Sequence, residues 1–172
     1  RKESSAASDV YKRQHHAFIE KMDACLKEVI KASKGLSVIV GIARRQGKHL
    51  FNSAAIIDDR KLLGFQDKWL LPNYDLFNER RYFDPGKEIS PWEIQGKKIG
   101  VVICEDIWNH AGYVDANYKW DPIEALSRHE LDVLLNLSAS PYQYQKPDVR
   151  IKVCKDAAKK LNCPVIMCCQ VG

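Results

Sequence analysis

No stretch of the 172-residue chain stays apolar for the roughly 18–20 residues that a membrane-crossing helix needs. Nor does any segment have the basic, apolar and small-residue layout of a secretory leader. A membrane protein is therefore not expected, and the expected location is cytoplasmic. There are six cysteines, Cys25, Cys104, Cys154, Cys163, Cys168 and Cys169, but none forms a C-x-x-C pair and none stands at zinc-ligand spacing to a histidine pair. That argues against a metal site or a redox dithiol, and the absence of an export signal favours reduced thiols over disulfides. Clustered positive charge is missing too. The formal charge of +5 comes partly from Arg1, Lys2, Lys12 and Arg13, and elsewhere lysines and arginines are interleaved with acids. No nucleic-acid footprint follows from that distribution.

What remains is the composition of an ordinary globular domain, 45% hydrophobic and 28% charged, at a one-domain length. The first fourteen residues, RKESSAASDVYKRQ, have little apolar content and no periodicity, and read as a disordered or non-native tail. The string SSAASDVYKRQ resembles a translated adaptor scar, so the native fold is expected to begin near His15 and to occupy 15–172, cut short at both ends.

Over 17–33 the residues Phe18, Met22, Cys25, Leu26, Val29 and Ile30 recur at helical spacing, and Gly35 stops the helix. Strands are expected over 36–42, 50–57 and 61–65. A long irregular stretch rich in aromatics, charge and proline follows, the kind of connection that usually serves function. A strand over 99–103 comes next, and Asp121-Pro122 caps a short helix. A strand over 131–137 leads to a helix over 147–161, with Ile151, Cys154, Ala158 and Leu161 on its inner face, and a last strand covers 164–169. Strands alternating with helices indicate an α/β fold.

The run KKIGVVICEDIW organises this pattern. Ile99 to Ile103 reads as a buried strand that ends abruptly in Cys104, Glu105 and Asp106. In α/β folds that strand edge is where ligands and chemistry are placed. A cysteine closing a Val/Ile run is more often a core residue than a catalyst when taken alone. Its neighbours tip the balance. A second strand edge, Asn136-Leu137-Ser138-Ala139-Ser140-Pro141, offers small hydroxyl residues suited to a substrate-facing site.

Lys68 with Leu71-Pro72-Asn73-Tyr74, then Phe77, Glu79, Arg81-Tyr82-Phe83 and Pro85-Gly86, then GVVICEDIW, then NLSASPYQYQK, resemble the nitrilase (carbon–nitrogen hydrolase) superfamily. More narrowly, they are similar to the glutaminase domains of glutamine-dependent NAD synthetases. The resemblance implies an αββα sandwich, with Cys104 as nucleophile, Lys68 as the catalytic lysine and Glu79 as a glutamate held near the active site. It also implies that Tyr74, Glu105, Ser140 and Lys146 grip glutamine. No cofactor is implied for this domain. ATP and magnesium would belong to a synthetase domain absent from the sequence, which lacks an S-G-G-x-D-S segment. The implied partners are glutamine, that synthetase domain and a further copy of the chain.

These roles are chemically coherent. A free thiol is only a few per cent thiolate at neutral pH, and a nearby ammonium lowers its pKa by about 1–3 units. Lys68 could also steady the oxyanion, together with the N–H that follows Cys104. One residue of the superfamily's Glu-Lys-Cys triad has no counterpart: nothing before the first strand matches its general-base glutamate, and Glu20 lies inside the first helix. The chain as given is therefore expected to be a poor hydrolase. Three other readings stay open: an amidase acting on another small amide, a Cys-His hydrolase using His110 or His129, and a non-catalytic module keeping the fold.

Overall fold

The computed structural model describes residues 16–74, 77–114, 118–140 and 146–170. The stretch read as a tail lies outside them. The chain divides into two compact units, one ending at Gly86 and the other starting at Lys87.

In the first unit, helix α1 (His16–Ala32) precedes three strands, β1 (Ser37–Gln46), β2 (His49–Asp58) and β3 (Lys61–Asp67), paired antiparallel in that order. Leu26 of α1 packs on Ile42, Ala55 and Ile57, with Met22, Val29 and Ile30 around it. The first turn of α1 departs from the expected stripe. Ile19 is buried among Ala43, Leu50, Leu71 and Phe83, whereas Cys25 is exposed. Cys25 lies on the flank of the arc, and the larger residues decide which way a helix faces because burial scales with apolar area.

Strand β1 runs four residues beyond its expected end at Ile42. Arg44 remains in the ladder because its guanidinium lies 4.9 Å from the ring centroids of both Phe51 and Phe65. Its charge meets Asp67 at 2.6 Å.

The second unit holds a sheet ordered β4 (Trp92–Ile94), β5 (Lys97–Ile103), β6 (Val133–Ser138) and β7 (Val165–Cys169). Strand β4 runs antiparallel to β5, and β5, β6 and β7 are parallel. Parallel neighbours require crossovers, and helices supply them. Helix α2 (Pro122–Leu126) precedes β6, and α3 (Lys146–Leu161) joins β6 to β7. Asp121 caps α2, its carboxylate accepting from the N–H groups of Ile123 and Glu124 at 2.9 and 3.1 Å.

Ile123, Leu126, Val153, Ala157 and Leu161 share one core with Val102 and Leu134 of the sheet. The inner face of α3 therefore runs through Val153, Ala157 and Leu161, while Ile151 is 54% exposed. The expected face was phased wrongly, because apolar residues flank both sides of this helix and two registers fit its pattern. Strand β4 was hidden inside the irregular stretch. It is three residues long and turns into β5 through Gln95 and Gly96, both at positive φ. Among the described residues, no helix is long and apolar enough to cross a membrane.

Candidate active site

The residues singled out in the sequence fall in both units. Lys68, Tyr74 and Glu79 lie in the first; Cys104, Glu105, Ser140 and Lys146 lie in the second.

Lys68 directly follows β3, and its backbone is pinned on both sides. Its N–H donates to the Asn52 carbonyl at 2.8 Å, and its own carbonyl accepts from the Gly86 N–H at 2.7 Å. The Pro85-Gly86 step thereby has a physical reason. A Cβ at Gly86 would stand 2.6 Å from the Asp67 carbonyl oxygen and 2.7 Å from Trp69 Cδ1, a gap only glycine leaves open. The preceding carboxylate, Asp67, is fixed by Arg44 and by the Ser53 hydroxyl at 2.5 Å.

The Lys68 side chain is 3% exposed, and its ammonium donates to Glu79 Oε2 at 2.5 Å. Glu79 opens a short 3₁₀ turn (Glu79–Arg81), and its other carboxylate oxygen accepts from Asn52 Nδ2 at 3.1 Å. Glu79 is therefore the counter-ion of a buried lysine. A buried ammonium needs such a partner. Tyr74 is 41% exposed and stands edge-on to Phe77, ring centroids 6.0 Å apart.

In the second unit, β5 ends at a sharp elbow. Ile103 is extended, but Cys104 has φ +47°, the left-handed region that costs a non-glycine residue about 1–3 kcal/mol. Two side chains hold that elbow. The Asp106 carboxylate, 1% exposed, accepts from the Ile103 N–H at 2.9 Å. Asn136 of β6, also 1% exposed, donates from Nδ2 to the Cys104 carbonyl at 3.3 Å. The chain then continues as a 3₁₀ turn, Cys104–Ile107, leaving Cys104 partly exposed.

Glu105 is 6% exposed and accepts from the Tyr118 hydroxyl at 3.1 Å. Lys146 begins α3, with its ammonium 5.7 Å from the centroid of the Trp108 ring. Burial pulls the Lys146 pKa below its ordinary value, and the Arg150 guanidinium pulls the same way. Negative charge on Cys104, Glu105 and Cys169 acts in the opposite direction. Cys104, Glu105 and Lys146 thus belong to one unit. Ser140 lies just beyond β6, its carbonyl accepting from Arg150 Nη2 at 3.0 Å. His110 is drawn elsewhere, with Nδ1 3.3 Å from Asp121 Oδ2, and His129 is exposed. Neither arrangement favours a Cys-His pair. Glu20 is exposed on α1.

Several residues around these sites were not singled out in the sequence. An asparagine inside the apolar run Leu134-Leu135-Asn136-Leu137 was the one legible signal, since a buried amide needs a purpose. Asn52 and Tyr118 gave none, because their roles depend on contacts distant in sequence.

Comparison with known proteins places this arrangement. The glutamine-dependent NAD(+) synthetase of Acinetobacter baylyi is 36% identical over 162 residues, covering 94% of this chain and 26% of that protein. The chain thus spans about a quarter of that relative's length. A solved glutamine-dependent NAD+ synthetase from Acinetobacter baumannii superposes with a TM-score of 0.81 at 31% identity, over 98% of this chain and 30% of that one. A carbon–nitrogen hydrolase from Helicobacter pylori shares the fold, with a TM-score of 0.71 at 18% identity, over 92% of this chain and 56% of the other. The nitrilase-like α/β fold expected from the sequence is therefore the fold found. The carbon–nitrogen hydrolase family model matches residues 28–172, and with a partly exposed cysteine on a left-handed elbow at the end of β5, the chain belongs to the carbon–nitrogen hydrolase family.

Proposed function

We propose that this chain is the glutamine-hydrolysing part of a glutamine-dependent NAD synthetase. The Cys104 thiolate attacks the side-chain carboxamide of glutamine, the C–N bond breaks, and ammonia leaves with a proton. Water then cleaves the γ-glutamyl thioester, giving glutamate and the free thiol. Lys68 stabilises negative charge on sulfur and oxygen, and Glu79 keeps that lysine charged and oriented. Tyr74 and Ser140 complete the grip on the substrate.

The observation that carries this reading is the placement of two opposite charges in the unit that holds Cys104: buried Glu105, its neighbour in the chain, and Lys146, whose ammonium lies 5.7 Å from the centroid of the Trp108 ring. A zwitterionic amino acid needs one partner of each sign: Lys146 for its carboxylate and Glu105 for its ammonium. A simple amide or nitrile needs neither. The similarity to NAD(+) synthetases over 94% of the chain supports the same substrate. Ammonia would pass to an ATP- and magnesium-dependent synthetase part, and self-association belongs to the same proposal.

The test is the KM for glutamine of Lys146→Ala in the full-length gene product. The expected result is a large rise in KM with a smaller change in kcat. An unchanged KM would point to an amidase of different substrate. The 172-residue chain alone is expected to turn over slowly, by about 10²–10⁴ relative to the full-length product, because no described glutamate ahead of β1 is buried as a general base would be: Glu20 and Glu28 are both exposed.

A further inference from the structure

Asn136 has a geometry that simple packing does not require. It is 1% exposed in the middle of an apolar strand, and beside Val102 in the parallel register it lies two residues short of Cys104. Its Nδ2 faces the Cys104 carbonyl, while its Oδ1 is buried with no hydrogen-bond partner among the described residues. A carbonyl oxygen can only accept, so the nitrogen end of the amide must face Cys104. A leucine would fill the strand position without burying an orphaned acceptor.

We infer that Asn136 is a positioning residue that orients the Cys104–Glu105 peptide so that the Glu105 N–H points at the oxyanion formed during attack by Cys104. The physical link is the planarity of the trans peptide, in which C=O and N–H point in opposite directions. By drawing the Cys104 carbonyl toward β6, Asn136 turns the N–H of the same peptide unit away from β6. The left-handed φ of Cys104 is what allows the peptide to turn this far at the end of a strand. Asp106 holds the Val102–Ile103 peptide through the Ile103 N–H, one unit before the Ile103–Cys104 peptide, so a buried side chain fixes the backbone on either side of the elbow. Asn136 touches no reacting atom; it acts through the backbone. The inference rests on the cysteine-hydrolase reading above, and its test separates the two.

Two variants are measured in the full-length gene product, Asn136→Leu and the isosteric Asn136→Asp. Three readouts are taken: kcat and KM for glutamine, the pH dependence of kcat, and the rate at which iodoacetamide alkylates Cys104. Alkylation is a displacement that needs the thiolate but forms no oxyanion. Losing one oxyanion donor typically lowers kcat about 10²–10³-fold, and because Asn136 acts at one remove, a fall of about tenfold to hundredfold is expected. KM and the alkylation rate should stay within about twofold of wild type on the same reasoning. Asn136→Asp should regain kcat as pH falls, because the protonated acid can donate to the Cys104 carbonyl as the amide does. An unchanged kcat overturns the inference. So does a fall in alkylation that parallels kcat, which would mean the elbow itself had collapsed. A wild type that hydrolyses another small amide but not glutamine would refute the glutaminase reading alone, and kcat for that amide would then judge Asn136. A wild type that hydrolyses no amide refutes both.

Discussion

Lys146 links burial to chemistry at a single residue. Burial and Arg150 lower its pKa, so its ammonium is lost at a lower pH than that of an exposed lysine. Where it holds the substrate carboxylate, KM for glutamine should climb as pH rises through that lowered value. Lys146→Arg should keep KM flat to higher pH, because a guanidinium stays charged. For folding, the sign is opposite. Between the lowered and the ordinary pKa the folded chain binds fewer protons than the unfolded one, so this residue's contribution to stability improves as pH rises through that window. Lys68 presents the contrasting case of a buried lysine bonded to its own counter-ion. Glu79→Ala removes that carboxylate and is expected to destabilise the protein by roughly 3–5 kcal/mol in urea unfolding. Glu79→Gln, which still accepts from Asn52, should cost less to the extent that the hydrogen bond contributes, and equal losses for the two would mean that the charge carries the whole effect.

At the scale of the elements, the positions of both key side chains are set by how strands end. Lys68 is held between the carbonyl of Asn52 and the N–H of Gly86, and the close approach at Gly86 leaves no room for a Cβ. Gly86→Ala should therefore lower the thermal midpoint and destabilise by about 1–3 kcal/mol, as overpacking against backbone does. Gly41→Ala is the control, at a place where a Cβ meets nothing within 4 Å and the backbone is not left-handed.

The strands β1, β2, β3, β5, β6 and β7 and the helices α1 and α3 were legible because each carries a run or stripe of apolar residues. Strand β4 was not, since three residues give no period to read. The facing of α3 was not either, because two registers fitted and only packing against Leu134 and Val102 separates them. Cys104 and Lys68 could be singled out from motifs, and the Lys68–Glu79 bond agrees with the motif reading. The left-handed φ at Cys104 could not be foreseen, and Asn136 was legible only as a polar residue in an apolar run, not by the carbonyl it would meet. Both depend on a register between strands 32 residues apart in sequence.

For the whole molecule, Cys104 lies in the second compact unit and Lys68 in the first. Family membership rests on residues 28–172, which include both. The most direct measurement is the rate at which a glutamine-mimicking diazoketone labels Cys104, read by peptide mass spectrometry, in the wild type and in Lys68→Ala. Cys104 is expected to be labelled ahead of the exposed thiols Cys25 and Cys168, with protection by excess glutamine. Lys68→Ala should slow that labelling at neutral pH, by at most about 30-fold, since a free thiol is already a few per cent thiolate. Labelling of Cys25 or Cys168 before Cys104, or a rate on Cys104 indifferent to both glutamine and Lys68, would contradict a Cys–Lys glutaminase.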